Sequence, residues 1–352
     1  MTIALYHPVL GYYSSSRDKL GEKGDFVTAP VMGTIFAKCL ANQCRQVLDQ
    51  IENGSILEFG AGDASLAANL LSELQTQNAL PDKYLILEVS ADLKARQLEK
   101  LSALGNDILQ RVEWVETLPA GGFKGIMIAN EVLDAMPVQR FRIDDKGKAR
   151  ELGVALHENE FCWIDLENQL ADEYLSRLKE YDLSTGYESE INRQAEAWVV
   201  SVAESLAQGL VLIIDYGFPG HEYYHPQRST GTLMCHHLHR ANDDPFWLPG
   251  EQDITSHVDF SAILKSAETA GLNALGYTSQ GNFLLGCGVL DLLTDMQSNT
   301  DSSPEMALAI SQEIKKLTLP HEMGELFKVL ALSKNYESPL SGFSFKNNLH
   351  RL

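Results

Sequence analysis

The chain has 352 residues, of which 44% are hydrophobic and 22% are charged, a balance typical of a globular protein with a large core. Acidic residues outnumber basic ones by 48 to 28, and the formal net charge is −20. A strongly negative surface repels phosphate backbones, which makes nucleic acid a poor partner but leaves a basic protein suitable. No run approaches the ~18 apolar residues of a membrane span, so we expect no such span.

The cysteines and the N-terminal residues indicate the cellular setting. The five cysteines are odd in number and include no Cys-x-x-Cys pair, so we expect no disulfide framework. Residues 1–13 lack both the basic-then-apolar pattern of a secretory signal and the composition of a transit peptide. These features predict a reduced, cytoplasmic setting.

The first part of the chain predicts an α/β rhythm. A loop rich in Gly, Tyr and Ser and a helix occupy residues 1–50, and the loop suits a lid over a ligand. Short apolar runs then alternate with helix-patterned segments over residues 51–137, which predicts a parallel sheet built from right-handed crossovers. The strands are predicted at 55–60, 84–90, 108–115 and 125–130.

The second part interrupts this rhythm and then resumes it. Residues 138–195 predict an α/β insertion with antiparallel strands at 138–144 and 151–166 and helices at 168–181 and 190–208. The sheet resumes over 196–290, with a strand at 209–217, a long loop at 218–257 and a last strand pair at 272–278 and 282–288. Residues 291–352 predict a helical tail. The fold class is therefore an α/β, Rossmann-like sheet with an insertion.

A glycine turn follows the first predicted strand, in the order Glu58-Phe59-Gly60-Ala61-Gly62. Gly60 and Gly62 allow the backbone to turn and a ligand to approach closely. A nicotinamide dinucleotide site requires Gly or Ala at the sixth position of its fingerprint, where this chain has Ser65. Glu58 instead suits the cationic amino-acid end of S-adenosyl-L-methionine. The alternative is a tight strand-to-helix turn without a ligand.

Glu88 ends the second predicted strand, where a carboxylate can accept both hydroxyl groups of a ribose. The alternative is a solvated carboxylate at a strand end. Because consecutive parallel strands end at the same edge of the sheet, Glu88 and the glycine turn should lie together. The pair therefore predicts a nucleotide site at this edge.

Asn130, Glu131 and Asp134 follow the fourth predicted strand and should project from the same edge. Glu131 and Asp134 lie three residues apart, so on a helical turn they would face one side and could hold a cationic nucleophile. The alternative is a helix capped by Asn130 with acids in its first turn.

The long loop contains Cys235, His236, His237 and His239, whose spacing matches no common zinc pattern. We therefore expect no metal and interpret the loop as a polar segment that closes over a substrate. His257, further along, is a weaker candidate for a catalytic group.

These segments, in this order from about residue 5 to residue 334, resemble the mitochondrial dysfunction protein A (MidA) family. The most specific stretches are GDFVTAP at 24–30, NEVLDAMP at 130–137 and DITSHVDF at 253–260. The resemblance implies the class I S-adenosyl-L-methionine-dependent methyltransferase fold. Mitochondrial members dimethylate a protein arginine during assembly of respiratory complex I, so it also implies a protein substrate, with a respiratory-complex subunit as one candidate.

The resemblance implies a role for each candidate residue. The cofactor set is Glu58, Gly60, Gly62, Glu88, Asn130, Asp25 and Thr28, and the catalytic set is Glu131, Asp134 and His257. The chain departs from the family pattern at Ala64, where a glycine is expected, and at Val31, where a glutamate is usual. The alternative function is a cofactor-binding assembly factor with weak or no catalysis.

Overall fold

Fifteen strands form three sheets within the residues that the computed structural model describes, 1–14, 29, 33–238, 240–298 and 303–352. In chain order they are β1 (Ser55–Phe59), β2 (Tyr84–Leu87), β3 (Val112–Val115), β4 (Phe123–Asn130), β5 (Gln139–Ile143), β6 (Ala149–His157), β7 (Glu160–Gln169), β8 (Glu188–Ile191), β9 (Leu206–Phe218), β10 (Met234–His237), β11 (Arg240–Asn242), β12 (Asp253–Thr255), β13 (Val258–Asp259), β14 (Asn273–Ser279) and β15 (Phe327–Lys334).

The helices cover both faces of the largest sheet. In chain order they are α1 (Thr2–Tyr6), α2 (Ile35–Leu48), α3 (Ser65–Thr76), α4 (Ala91–Ser102), α5 (Asn106–Leu109), α6 (Asp172–Leu178), α7 (Arg193–Ser205), α8 (Gly220–Tyr223), α9 (Phe260–Thr269), α10 (Gln280–Gly286), α11 (Val289–Ser298), α12 (Pro304–Thr318) and α13 (Met323–Leu326). None of these described helices is long and apolar enough to cross a membrane.

The order of the main sheet is β14-β15-β9-β4-β1-β2-β3, and β13 pairs with the end of β9. The neighbours β9-β4-β1-β2-β3 are parallel, whereas β15 runs antiparallel to both β9 and β14. The chain winds outward in opposite directions from β1 and β4. The ends of these two strands therefore meet at the switch point, where open α/β sheets bind ligands.

Two apolar cores sandwich this sheet. Side chains alternate along each strand, so Ile56 and Ile126 enter the core under α2 and α3, whereas Leu57 and Met127 enter the core under α7 and α9. Strands buried on both faces read as continuous apolar runs. This is why the sequence predicted β1, β2, β4 and β9, and the expected α/β fold with an insertion is confirmed.

The last strand pair was predicted wrongly. Residues 280–286 form α10, and the antiparallel partner of β14 is β15, which lies in the segment predicted to be a helical tail. Short apolar runs fit a buried strand and a buried helix equally well, so only the tertiary pairing decides between them.

Three smaller differences concern the predicted elements. Strand β3 begins at Val112, because 106–109 form the short helix α5. The insertion is a four-stranded sheet in the order β7-β6-β5-β8, and the last two residues of β8 were predicted as the start of a helix. The long loop contains α8 and the three-stranded sheet β11-β10-β12.

The N-terminal helix α1 packs on this three-stranded sheet through a small core of Leu5, Tyr12, Cys235 and Ile254. The fit is close at Gly250, where an added Cβ would lie 2.5 Å from the carbonyl oxygen of Leu10. Both segments therefore lie beside the ligand edge of the main sheet, and the Tyr6 hydroxyl donates to the Ala135 carbonyl at 2.8 Å.

Candidate active site

The glycine turn after β1 has the backbone that its sequence predicts. Gly60, Gly62 and Ala64 all adopt positive φ angles, of 61°, 54° and 62°. Ala64 stands where the resemblance predicts glycine, and an alanine in this conformation costs about 1–2 kcal/mol. The turn leads directly into α3, which begins at Ser65. A ligand can therefore approach the backbone between β1 and α3.

Glu58 lies at this turn with only 3% of its surface exposed. Its Oε2 accepts the Tyr84 hydroxyl at 2.7 Å, and burial raises the pKa of its carboxyl to about 7. A buried carboxylate is stable only when another charge compensates it, and the ammonium group of an amino acid would supply that charge. The geometry thus fits the predicted role of Glu58, which stays a prediction.

Glu88 is held in place by a residue that sequence reasoning missed. Its Oε1 accepts the Ser90 N–H at 2.8 Å, and its Oε2 accepts the Gln97 amide at 3.2 Å. The same Gln97 amide donates to the Gly62 carbonyl at 2.9 Å and accepts the Trp114 indole N–H at 2.8 Å. Gln97 therefore joins the ends of β1, β2 and β3. No local pattern in the sequence marks it, because its partners come from three other elements.

The segment after β4 is a turn and not the predicted helix. Residues 131–136 contain no helical turn, and Glu131 has a positive φ of 54°. The helix cap at Asn130 is therefore excluded, and its amide instead donates to Glu131 Oε1 at 3.3 Å. A non-glycine residue in this region of φ is strained, which is a feature of functional sites.

Asp215, at the end of β9, holds this turn. Its Oδ2 accepts the N–H groups of Leu133 at 3.0 Å and Asp134 at 3.2 Å, and its Oδ1 accepts the N–H of Tyr216 at 2.9 Å. Asp215 has no exposed surface, and burial together with the charges of Asp134 and Glu131 raises its pKa. Asp215 therefore fixes the main chain of the turn that carries Asp134.

Asp134 and Glu131 are brought together as the sequence predicted, although on a turn. Asp134 is 6% exposed, and its Oδ2 accepts the Tyr216 hydroxyl. Its Oδ1 is buried and has no hydrogen-bond partner within the described part of the chain. Burial raises the pKa of Asp134 to about 6, and burial with the charges of Asp134 and Asp253 raises the pKa of Glu131 to about 8.

No positive side chain compensates these carboxylates among the residues that the structure describes. The ion pairs found there include none with Glu58, Glu131, Asp134 or Asp215. The negative charges of these carboxylates would therefore stabilise a cationic ligand bound at this edge of the sheet.

His257 lies next to Tyr216, and within the described residues no hydrogen bond joins its ring to the carboxylates. Its ring stacks on Phe218 at 5.2 Å and meets the edge of Tyr216 at 5.2 Å. Burial lowers the pKa of His257 to about 4, so it is neutral at pH 7. Its catalytic role stays a prediction. Asp25 and Thr28 lie outside the described residues, as does His239.

The arrangement agrees with the comparisons to known proteins. Residues 39–278 match a family model of S-adenosyl-L-methionine-dependent methyltransferases. The chain belongs to this family. The MidA resemblance is thereby confirmed, and in this methyltransferase the glycine turn, Glu88 and the carboxylates after β4 follow neighbouring parallel strands at one edge of the main sheet.

Relatives of this methyltransferase align over nearly its whole length. A Burkholderia thailandensis protein crystallised with S-adenosyl-homocysteine is 42% identical, and its structure superposes with a TM-score of 0.94 over 100% of this chain and 90% of that one. Mitochondrial protein arginine methyltransferase NDUFAF7 of Danio rerio is 28% identical over 98% of this chain and 87% of its own. The Homo sapiens protein of that name is 25% identical over 98% and 85%.

Replacing Glu88 should weaken cofactor binding. Glu88→Gln offers one acceptor oxygen where the carboxylate offers two, and a hydrogen bond to a charged group contributes about 1.5–3 kcal/mol. We expect affinity for S-adenosyl-homocysteine, measured by calorimetry, to fall tenfold or more. Gly60→Val should bind none, because valine is strained at this φ. Glu113→Gln, an exposed carboxylate on β3, is the control, and equal losses in both Gln variants would contradict the assignment.

The raised pKa of Glu131 predicts how stability depends on pH. The native protein keeps a proton that the unfolded chain releases above its ordinary pKa of 4.5, so this stabilisation is complete below 4.5 and is lost as pH rises through about 8. Glu131→Gln has no such group. We expect the melting temperature of the cofactor-free variant to exceed that of the wild type increasingly between about pH 5 and pH 8, by roughly 2–4 °C per kcal/mol. A gap that is constant with pH would contradict the raised pKa.

Proposed function

We propose that this methyltransferase methylates an arginine nitrogen in a protein. The observation that carries the proposal is the group of buried carboxylates after β4 and β9, which no described lysine or arginine compensates. A guanidinium is cationic, planar and matched to carboxylates in geometry, so it suits this edge better than a neutral acceptor does. The names of the mitochondrial relatives, protein arginine methyltransferase, support the same acceptor.

The chemistry requires alignment and a base. Bound S-adenosyl-L-methionine supplies a methyl group on a sulfonium, which is displaced in line by the acceptor nitrogen. As the C–N bond forms, the electron pair of the broken C–S bond stays on sulfur, and the nitrogen must lose a proton. Asp134, whose pKa is about 6, is ionised at pH 7 and can take that proton. Glu131 accepts a hydrogen bond from the Asn130 amide, and the positive charge of a bound sulfonium would stabilise its ionised form.

The acceptor is proposed to be a basic segment of a protein. The net charge of −20 attracts positively charged partners over a distance and repels acidic ones. A respiratory-complex subunit is a candidate of this kind, by the resemblance to the MidA family. The second candidate function, an assembly factor that binds the cofactor with little catalysis, requires Asp134 to serve the fold alone.

Asp134→Asn separates the two functions. Proteins from cells that lack this enzyme are incubated with labelled S-adenosyl-L-methionine, and methylarginine is measured by mass spectrometry. We expect the wild type to form methylarginine and Asp134→Asn to lose at least 10²-fold in rate, the scale of a positioned base. Affinity for S-adenosyl-homocysteine should stay within about threefold, or ~0.7 kcal/mol.

Asp243→Asn removes an exposed carboxylate of the loop before β12 and should leave both quantities unchanged. Label in another residue type would contradict arginine as the acceptor. Full activity per folded molecule in Asp134→Asn would contradict the catalytic role of Asp134. A wild type that binds S-adenosyl-homocysteine but forms no methylarginine would favour the assembly factor.

A further inference from the structure

Asp253 brings another carboxylate to the ligand edge, from outside the main sheet. It begins β12, is 1% exposed and accepts the Tyr13 hydroxyl at 3.0 Å. Burial raises the pKa values of Glu131 and of the Tyr6 hydroxyl, and the charges of Asp134 and Asp253 raise both further. Asp253, Asp134 and the two tyrosines are therefore near neighbours, although they come from three separate segments of the chain.

Two hydrogen bonds to main-chain carbonyl groups hold these three segments together. The Ser256 N–H donates to the Asp134 carbonyl at 3.0 Å, which joins β12 to the turn after β4. The Tyr6 hydroxyl joins α1 to the same turn through the Ala135 carbonyl at 2.8 Å. The main-chain hydrogen bond from Ser256 thus fixes Asp253 relative to Asp134, and the Tyr6 side chain adds a second link to the same turn.

In this group, one carboxylate oxygen accepts no hydrogen bond from the described residues, and one tyrosine is partly exposed to solvent. Asp134 Oδ1 is buried and lacks a partner within the described ranges, which a hydrogen-bond donor from a ligand would correct. Tyr6 stacks on Tyr13 with their ring centroids 5.4 Å apart, and Tyr6 is 42% exposed. Tyrosine faces attract cations, and carboxylates bind a guanidinium in a paired, planar way.

We propose that Asp253 and Asp134, with the rings of Tyr6 and Tyr13 beside them, form the pocket that binds the cationic side chain of the acceptor. Asp253 is its specificity-determining residue, because it adds the second carboxylate that a planar guanidinium can engage. This inference rests on the proposed function and names the residues that select the acceptor.

The test compares two small probes of nearly the same shape. N-acetyl-arginine amide carries the guanidinium, and N-acetyl-citrulline amide replaces it with a neutral urea. Calorimetry is performed with the full chain saturated with S-adenosyl-homocysteine. We expect the wild type to bind the arginine probe at least tenfold more tightly than the citrulline probe, and Asp253→Asn to lose that preference while its affinity for S-adenosyl-homocysteine stays within twofold.

Two further variants guard against a folding defect in Asp253→Asn. Tyr13→Phe removes only the hydroxyl that donates to Asp253, and we expect a smaller loss for the arginine probe, of about threefold. Asp243→Asn, ten residues before Asp253 and exposed, should keep the full preference. Melting temperatures of all variants show whether each is folded.

The pocket is contradicted if the wild type binds both probes equally or neither, or if folded Asp253→Asn keeps the preference for arginine. If Asp253→Asn does not fold, a Tyr13→Phe variant with undiminished preference contradicts the role of Asp253. Failure of the proposed function gives a different result. In that case the wild type forms no methylarginine in protein, whether or not it binds the two probes. An enzyme that methylates arginine with an unchanged acceptor KM in Asp253→Asn contradicts the pocket alone.

Discussion

Carboxylates held out of water without a compensating cation are the constraint on which this site depends. Burial raises the pKa values of Glu58, Glu131, Asp134 and Asp215, and the causes of these shifts include no lysine or arginine from the part of the chain that the structure describes. Ionising such groups costs free energy that water can no longer offset. A cationic cofactor and a cationic acceptor relieve this cost, so the same charges that weaken the empty protein favour its ligands.

The fold places these carboxylates close together. The parallel strands β1, β2, β4 and β9 end at one edge, which brings together carboxylates that are far apart in the chain. Asp215 accepts hydrogen bonds from the main-chain N–H groups of Leu133 and Asp134, which fix the turn after β4 and the position of Asp134. Glu131, in the same turn, has a positive φ. The N-terminal segment with α1 and the sheet β11-β10-β12 pack together beside the turn after β4, and the N-terminal segment adds tyrosines there.

Much of this arrangement could be predicted, because buried parallel strands leave continuous apolar runs and functional residues follow them. Glu58, Glu88 and Asn130 were placed in this way. The pairing of β15 with β14 could not be predicted, since a short apolar run does not distinguish a strand from a helix. Gln97 and Asp253 were also missed as site residues, because their hydrogen-bond partners lie on other elements of the fold and no local sequence pattern marks them. The positive φ of Glu131 was also not predicted, since residues 130–134 taken alone fit a helical turn.

The most direct test of uncompensated carboxylates is the number of protons released when ligands bind. Calorimetry in two buffers of different ionisation enthalpy gives this number at pH 7 for S-adenosyl-L-methionine and for S-adenosyl-homocysteine, which lacks the sulfonium charge. We predict a larger release with S-adenosyl-L-methionine, because the added positive charge lowers the pKa of Glu131, and we predict that Glu131→Gln removes the difference. Equal proton release for the two ligands in the wild type would contradict the account.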